Sequence, residues 1–174
     1  MSFTFYSAVV PPFQKTLTTL TALLEKAEAY CTEQKIGPKD ILESRLVADM
    51  HPFAYQVKSA AVHSIGAIEG VRRGQFSPDD TPPGDSFAAL TKKLVDANAA
   101  LAALDPKEVN DFVGKPMRFV IGKYFADYTG DNFLLTFSKP NFYFHATTAY
   151  DLLRMKGMAI GKVDYLGRIP LTRT

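Results

Sequence analysis

Apolar residues recur every three or four positions over four long stretches of this chain. The first stretch lays its apolar members on one stripe: Phe13, Leu17, Leu20, Leu24, Ala27 and Cys31. This spacing is typical of an amphipathic helix with one buried face. Pro11 and Pro12 are tolerated at the start of such a helix, and Gly37-Pro38 should end it. Cys31 lies on the stripe, so we interpret it as a core residue rather than a nucleophile.

The second stretch predicts a helix from about Met50 to Arg73, with Asp49 as its cap and Pro52 in its first turn. The segment GQFSPDDTPPGD follows it, and its Pro, Gly and Asp residues mark a loop in which little can be buried. The third stretch is the most regular and shares these residues: Phe87, Leu90, Leu94, Ala97, Leu101 and Leu104.

The pattern then changes from the helical period to alternation. Met117, Phe119 and Ile121 alternate with other residues, and Gly122-Lys123 predicts the turn of a small β-hairpin. A fourth helix should begin between Asp131 and Phe137, with Pro140 restarting or kinking it. Its stripe comprises Phe142, His145, Ala149 and Leu152. Gly157 should end this helix, leaving an irregular tail.

These elements predict an all-α fold. Four long amphipathic helices are expected to form a four-helix bundle, with a small β-hairpin in the crossover before the last helix. The 174 residues are enough for one domain, which we expect to span 1–174.

The amino-acid composition limits the possible functions of the protein more than it limits the possible folds. No apolar run is long enough to cross a bilayer, and the start has no basic residue before its apolar stretch, so we expect neither a membrane protein nor a secretory signal. A single cysteine, Cys31, excludes an internal disulfide and favours a cytoplasmic location. The net charge is +2, although residues 115–174 carry 9 Lys/Arg against 4 Asp/Glu. This basic end is too weak a signal to predict nucleic-acid binding.

The candidate functional residues are the three histidines of the chain: His51, His63 and His145. His145 falls on the inward stripe of the fourth helix, where a lone histidine is more often a hydrogen-bonded core residue than a ligand. On a regular second helix, His63 would lie about 18 Å from His51 along the axis and about 120° away around it. The two could not share a metal ion, so we interpret His63 as a surface or secondary-core residue.

Bundle geometry could bring His51 and His145 together, with Asp49 as a third ligand. A divalent metal such as zinc or nickel is the cofactor to consider, but Ala149, one turn after His145, cannot ligate. A second interpretation is a small-ligand pocket walled by His145, Phe142, Tyr150 and His51, and a third is a core histidine that binds nothing. No catalytic residue is predicted, because phosphate-binding and nucleophile-elbow motifs are missing from the sequence.

Several segments carry a family resemblance: LLEKAEAYCTEQKI, ADMHPFAYQV, KPNFYFHATTAYDLLRMKG and IGKVDYLG. Together they resemble a domain-of-unknown-function branch of the DinB/YfiT-like superfamily, from about residue 5 to residue 167, with the PNFYFHxTTAY run as its specific motif. The resemblance implies a four-helix bundle with an unusual crossover, and often a homodimer. It also implies a metal site of three histidines, one on the second helix and an H-x-x-x-H pair on the fourth.

Carried over to this chain, His51 lies near the second-helix ligand and His145 matches the first member of the pair, whereas Ala149 replaces the second. Two function hypotheses follow. One is a DinB-like bundle with a small-ligand pocket near His145 and His51. The other is a divalent-metal-dependent enzyme of the thiol transferase or hydrolase type that uses His51, His145 and a carboxylate. An interaction module using the basic C-terminal face is least favoured.

Overall fold

The computed structural model of this protein describes residues 3–169 and 172. The α-helices follow one another as α1 Phe5–Gln34, α2 Lys39–Leu42, α3 Phe53–Ala61, α4 Ala67–Arg73, α5 Phe87–Ala102, α6 Pro106–Asn110, α7 Gly130–Asn132, α8 Lys139–Met155 and α9 Lys162–Leu166. Two π-helical turns, π1 Val62–Gly66 and π2 Phe133–Ser138, join α3 to α4 and α7 to α8. The strands are β1 Gln75–Phe76, β2 Pro116–Ile121 and β3 Tyr124–Thr129. The four predicted amphipathic stretches are therefore all helical.

The first helix begins earlier than predicted. Thr4 caps it by accepting a hydrogen bond from the Ser7 N–H, so the two prolines fall inside α1 and not at its start. Pro12 has no N–H to donate to the carbonyl of Ala8 four residues earlier. Lys139 Nζ donates to that carbonyl instead, at 2.9 Å, which compensates for the lost bond and links α1 to α8.

The second helix begins later than predicted, at Phe53 and not near Met50. Pro52 is the residue before it and is extended, with φ −71° and ψ 167°, and no side chain caps the helix. A proline disfavours helical geometry in the residue that precedes it. Asp49 is therefore not the cap, and His51 lies in the exposed segment before α3.

The long helices pack in a closed arrangement around one core. The first helix, α1, contacts α5 and α8, and α3 contacts the same two helices. The predicted stripe of α1 is buried at every position: Phe13, Leu17, Leu20, Leu24, Ala27 and Cys31. Burying these side chains removes apolar surface from water at about 25 cal/mol per Å², which stabilises the fold. Burial also raises the pKa of the Cys31 thiol, in keeping with a core residue.

The predicted hairpin is part of a three-stranded sheet. Strands β2 and β3 are antiparallel, with Ile121 opposite Tyr124 across the predicted two-residue turn. Strand β1 pairs in parallel with the other edge of β2, with Gln75 opposite Arg118. Gly70 makes this third strand possible, because a Cβ at that position would lie 2.9 Å from Phe76 Cβ. The fold is mostly helical with this one small sheet of three strands among the described residues.

The expected irregular tail contains α9, which packs against α1. No helix in the described ranges is both long and apolar enough to cross a membrane.

Candidate functional site

Two of the three histidines stack on each other between the second and fourth helical stretches. The ring centroids of His63 and His145 are 5.6 Å apart and the planes differ by 19°. The helices that carry them are antiparallel, since Gln56 contacts His145 and His63 contacts Ser138. Helical side chains lean toward the N-terminus of their own helix. On antiparallel helices the two imidazoles therefore lean toward each other and meet between these two contacts.

The position of His63 beside His145 was not predicted from the sequence. His63 was compared only with His51 along one helix, whereas the neighbour of His63 is His145 on another helix. One feature of the sequence could have indicated this inward position. The residues three or four positions from His63 on the same face are small, and the structure buries them: Ser59, Ala60 and Ala67. Small residues one turn away on both sides leave room for an inward imidazole.

Gln56 connects His145 to the start of the second helix. Its side chain is buried, and its amide Nε2 donates to the carbonyl of His51 at 2.9 Å. Its Oε1 lies 2.7 Å from Nδ1 of His145. Gln56 thus fixes His145 and the backbone of His51 in one network, which no sequence motif indicated.

Ser138 has the corresponding place beside His63. Its hydroxyl is fully buried, donates to the carbonyl of His63 at 2.9 Å and lies 3.3 Å from Nδ1 of the same residue. His63 belongs to π1, and Ser138 is the last residue of π2. The π2 turn ends two residues before Pro140, whose missing N–H interrupts the regular helical pattern. Single π turns often occur at functional sites, and here two of them face each other.

His51 joins the group through an aromatic ring. It stacks on Tyr55, with centroids 3.7 Å apart, and Tyr55 in turn meets the edge of His145 at 6.1 Å. We refer to His51, Tyr55, Gln56, His63 and His145 as the histidine cluster.

The other predicted site residues have different neighbours. Phe142 is fully buried and packs against Phe13 of α1, with centroids 4.6 Å apart. Tyr150 pairs with Tyr165 of α9 at 5.7 Å. Asp49 is exposed in a turn before α3. The structure thus brings His51 and His145 into one cluster, while the ring contacts of Phe142 and Tyr150 are toward α1 and α9.

Both stacked imidazoles are neutral near pH 7. Burial, with a smaller contribution from the neighbouring His145, lowers the pKa of His63 to about 3. Burial likewise lowers the pKa of His145 to about 4, with a smaller contribution from the charge of His51. A base with so low a pKa is a weak general base at neutral pH, because efficient proton transfer needs a pKa near the working pH. A neutral imidazole remains a good acceptor for a hydrogen bond or a cation.

A buried cation lies beside the cluster. The side chain of Lys58 is 2% exposed, and its Nζ donates to the carbonyls of Asp79 and Thr81, both at 2.5 Å. The Asp79 carboxylate lies 3.3 Å from the same Nζ, and the Tyr55 ring centroid is 5.6 Å away. Lys58 therefore attaches the proline-rich loop, in which little burial was expected, to the helix that carries the cluster.

The cluster does not supply the ligands of a tight metal site. No group of three or more His, Cys, Asp or Glu side chains within residues 3–169 and 172 is placed to hold a metal ion. Ala149 is buried where the resemblance implies a third histidine, and Asp49 is exposed. A catalytic zinc needs about three protein ligands together with an open position. The described side chains therefore do not fit such a metal.

Comparison with known proteins agrees with the fold. A family model described as "Domain of unknown function (DUF1993)" matches residues 5–166. The chain is also similar to the crystal structure of a DinB family member protein from Shewanella denitrificans, at 26% sequence identity and a TM-score of 0.80. That match covers 97% of this chain and 95% of the other. Comparison with curated proteins gives no match.

Proposed function

Since this chain belongs to the DUF1993 family and shares the fold of a DinB family member, we propose that it is a DinB-like four-helix bundle that binds a small ligand at its histidine cluster. In this proposal residues 1–174 form one domain. The four helical stretches predicted from the sequence are the four helices of its bundle. The ligand lies between the second and fourth helices, where His51 and His145 were predicted to form a pocket. His63, Tyr55 and Gln56 complete the pocket.

One observation carries this proposal: two neutral, half-buried imidazoles are stacked on each other with Nδ1 of each held by a polar partner. A buried polar group lowers stability unless its hydrogen bonds are satisfied. A pair of apolar side chains would fill the same space without that cost. Two histidines and two polar partners at this place are therefore better explained by binding than by packing.

Binding is favoured over catalysis by the same residues. At pKa values of about 3 and about 4, His63 and His145 hold almost no proton to donate near pH 7 and take one up only weakly. Their low basicity does not prevent them from accepting hydrogen bonds from a ligand. The resemblance adds a homodimer to the proposal, for which sedimentation should give twice the 19.2 kDa of one chain.

The test is a fragment screen read by ¹H–¹⁵N NMR on the full chain. Wild-type protein is compared with His145→Phe, which removes one imidazole, and with Tyr150→Phe, a matched change of ring chemistry on the side of α8 toward α9. We expect fragments to shift the ring resonances of His63 and His145 in the wild type and in Tyr150→Phe, and to lose this effect in His145→Phe. Binding that is unchanged in His145→Phe, or absent in all three proteins, would overturn the proposal.

A metal-dependent enzyme of the thiol transferase or hydrolase type stays the alternative. One observation favours it: metal-binding histidines typically have their second nitrogen held by a polar partner, as His63 and His145 have here. Of its predicted ligands, His51 and His145 lie in the histidine cluster, whereas Asp49 is exposed in a turn before α3. Elemental analysis of protein purified without chelator decides between the two. About one zinc or nickel ion per chain, lost in His145→Phe, would support the enzyme.

A further inference from the structure

We infer that Gln56 and Ser138 hold His145 and His63 in the tautomer with the proton on Nδ1, so that the two Nε2 atoms form a paired acceptor site for neutral ligands with N–H or O–H groups. The ligand part of this inference rests on the proposed function. The tautomers rest on the hydrogen bonds alone.

The amide of Gln56 determines which nitrogen of His145 carries the proton. An amide has one end that donates and one that accepts, and the Nε2 end donates to the His51 carbonyl. The Oε1 end therefore faces His145, at 2.7 Å from Nδ1. An amide oxygen has no hydrogen to donate. The contact is a hydrogen bond only if Nδ1 of His145 carries the proton, which leaves the lone pair on Nε2.

The hydroxyl of Ser138 determines which nitrogen of His63 carries the proton. A hydroxyl has a single hydrogen, and Ser138 donates it to the carbonyl of His63 at 2.9 Å. Toward Nδ1 of His63, at 3.3 Å, the same oxygen can then only accept. The proton of the neutral ring is therefore on Nδ1, and the lone pair is again on Nε2. Two unrelated partners, an amide and a hydroxyl, produce the same tautomer.

Both lone pairs are available to a ligand. Of the buried side-chain polar atoms in the described part of the chain, only Oδ1 of Asn98 has no hydrogen-bond partner. Neither Nε2 is therefore sealed inside the core without a partner. The ring centroids are 5.6 Å apart, a separation that one small group with two donor hydrogens can span.

The charge of the surroundings selects neutral ligands. The histidine cluster contains no carboxylate, and the Asp79 carboxylate is already paired with the buried Lys58 ammonium at 3.3 Å, so a cationic ligand would lose its hydration without gaining a counter-ion. An anion fails for a different reason: two bare Nε2 lone pairs offer it no hydrogen to accept. An amide, urea or alcohol group meets neither difficulty.

The first test reads the tautomers without any ligand. Long-range ¹H–¹⁵N NMR of the ¹⁵N-labelled full chain at pH 7 distinguishes a protonated ring nitrogen from a bare one. We expect bare Nε2 and protonated Nδ1 for both His63 and His145. A protonated Nε2 on either ring in the wild type would overturn the inference, even if every variant failed to fold.

Two variants separate the two partners. Ser138→Ala should change the tautomer ratio of His63 and leave His145 unaltered, and Gln56→Met should do the reverse. A purely structural role for Ser138 or Gln56 would lower the stability without this selective change. Thermal unfolding followed by circular dichroism checks that each variant is folded at the temperature of the spectra.

The second test compares acetamide with acetate, which have nearly the same shape but differ in that only acetamide donates hydrogen bonds. Acetamide should shift the Nε2 resonances of both rings in the wild type, and acetate should not. Stronger binding of acetate would overturn the selectivity. If the tautomers are as expected but acetamide does not bind, the acceptor site inferred here is wrong, and the fragment screen decides the proposed binding function separately. If the tautomers differ but fragments bind, only this inference is wrong.

Discussion

At the scale of single residues, His63 and His145 have pKa values of about 3 and about 4 in the folded chain, well below the 6.5 of an ordinary histidine. Below pH 6.5 the unfolded chain takes up protons on these residues that the folded chain does not. The free energy of unfolding therefore falls as the pH drops from about 6.5 toward 4, and it is highest above that range. Within that range, each unit by which the pH falls lowers the free energy of unfolding by about 1.4 kcal/mol for each histidine.

We therefore predict that the free energy of unfolding decreases by about 4 kcal/mol between pH 7 and pH 5, with about half of this from each histidine. His145→Gln should remove about half of the decrease, and a double change with His63→Gln should remove most of it. Urea unfolding at a series of pH values measures the slopes. A slope that is the same in His145→Gln as in the wild type would contradict the prediction.

Single residues also show where the sequence stops being informative. The inward position of His145 followed from its place on the stripe of the fourth helix. The contacts of Gln56 and Ser138 could not be predicted in this way, because each depends on a partner in another helix and neither residue belongs to a periodic pattern. Lys58 is the extreme case: a lysine is expected on the surface, and it is buried here because two loop carbonyls and a carboxylate surround its ammonium.

At the scale of elements, helices were predictable where one buried face repeats along the chain. Their starts were less so, since Pro12 and Pro52 were each compatible with more than one helical position. Strand β1 has two residues and pairs with β2 some forty residues later, so it leaves no pattern in the sequence. The π turns are also invisible to periodicity, because each shifts the helical phase over a few residues only.

Two glycines test how tightly the elements are packed. A Cβ at Gly130, at the start of α7, would lie 2.6 Å from Val71 Cγ1 and 2.7 Å from the backbone carbonyl of Phe112. The carbonyl cannot move like a flexible side chain, so Gly130→Ala should destabilise the fold by about 1–3 kcal/mol. Gly66, in π1, is the matched control, because its nearest atoms would be 3.9 Å away.

We expect Gly66→Ala to leave stability unchanged or to raise it by about 0.5–1 kcal/mol, since alanine favours a helix more than glycine does. Urea unfolding of the two variants beside the wild type gives both values. Equal effects of the two substitutions would show that the close contacts at Gly130 do not control the packing of α7.

At the scale of the whole molecule, α9 connects the first and last long helices. Lys26 of α1 pairs with Asp164 at 2.5 Å, and Asp164 also accepts from the N–H of Gly161 at 2.7 Å. On the side of α8, the hydroxyls of Tyr165 and Thr147 are 3.1 Å apart, and Tyr165 packs against Tyr150. An exposed ion pair contributes little, so the ring of Tyr165 should dominate the attachment.

We predict that Tyr165→Ala lowers the free energy of unfolding by about 1–2 kcal/mol and releases α9 before the rest of the chain unfolds. Tyr165→Phe keeps the ring and loses only the hydroxyl contact, so its effect should be under about 1 kcal/mol. Trypsin cleavage at Lys162, measured below the unfolding transition, reports the local release. Protection of Lys162 in Tyr165→Ala equal to that in the wild type would mean that α9 is held by its contacts with α1, and that the first helix alone positions this end of the molecule.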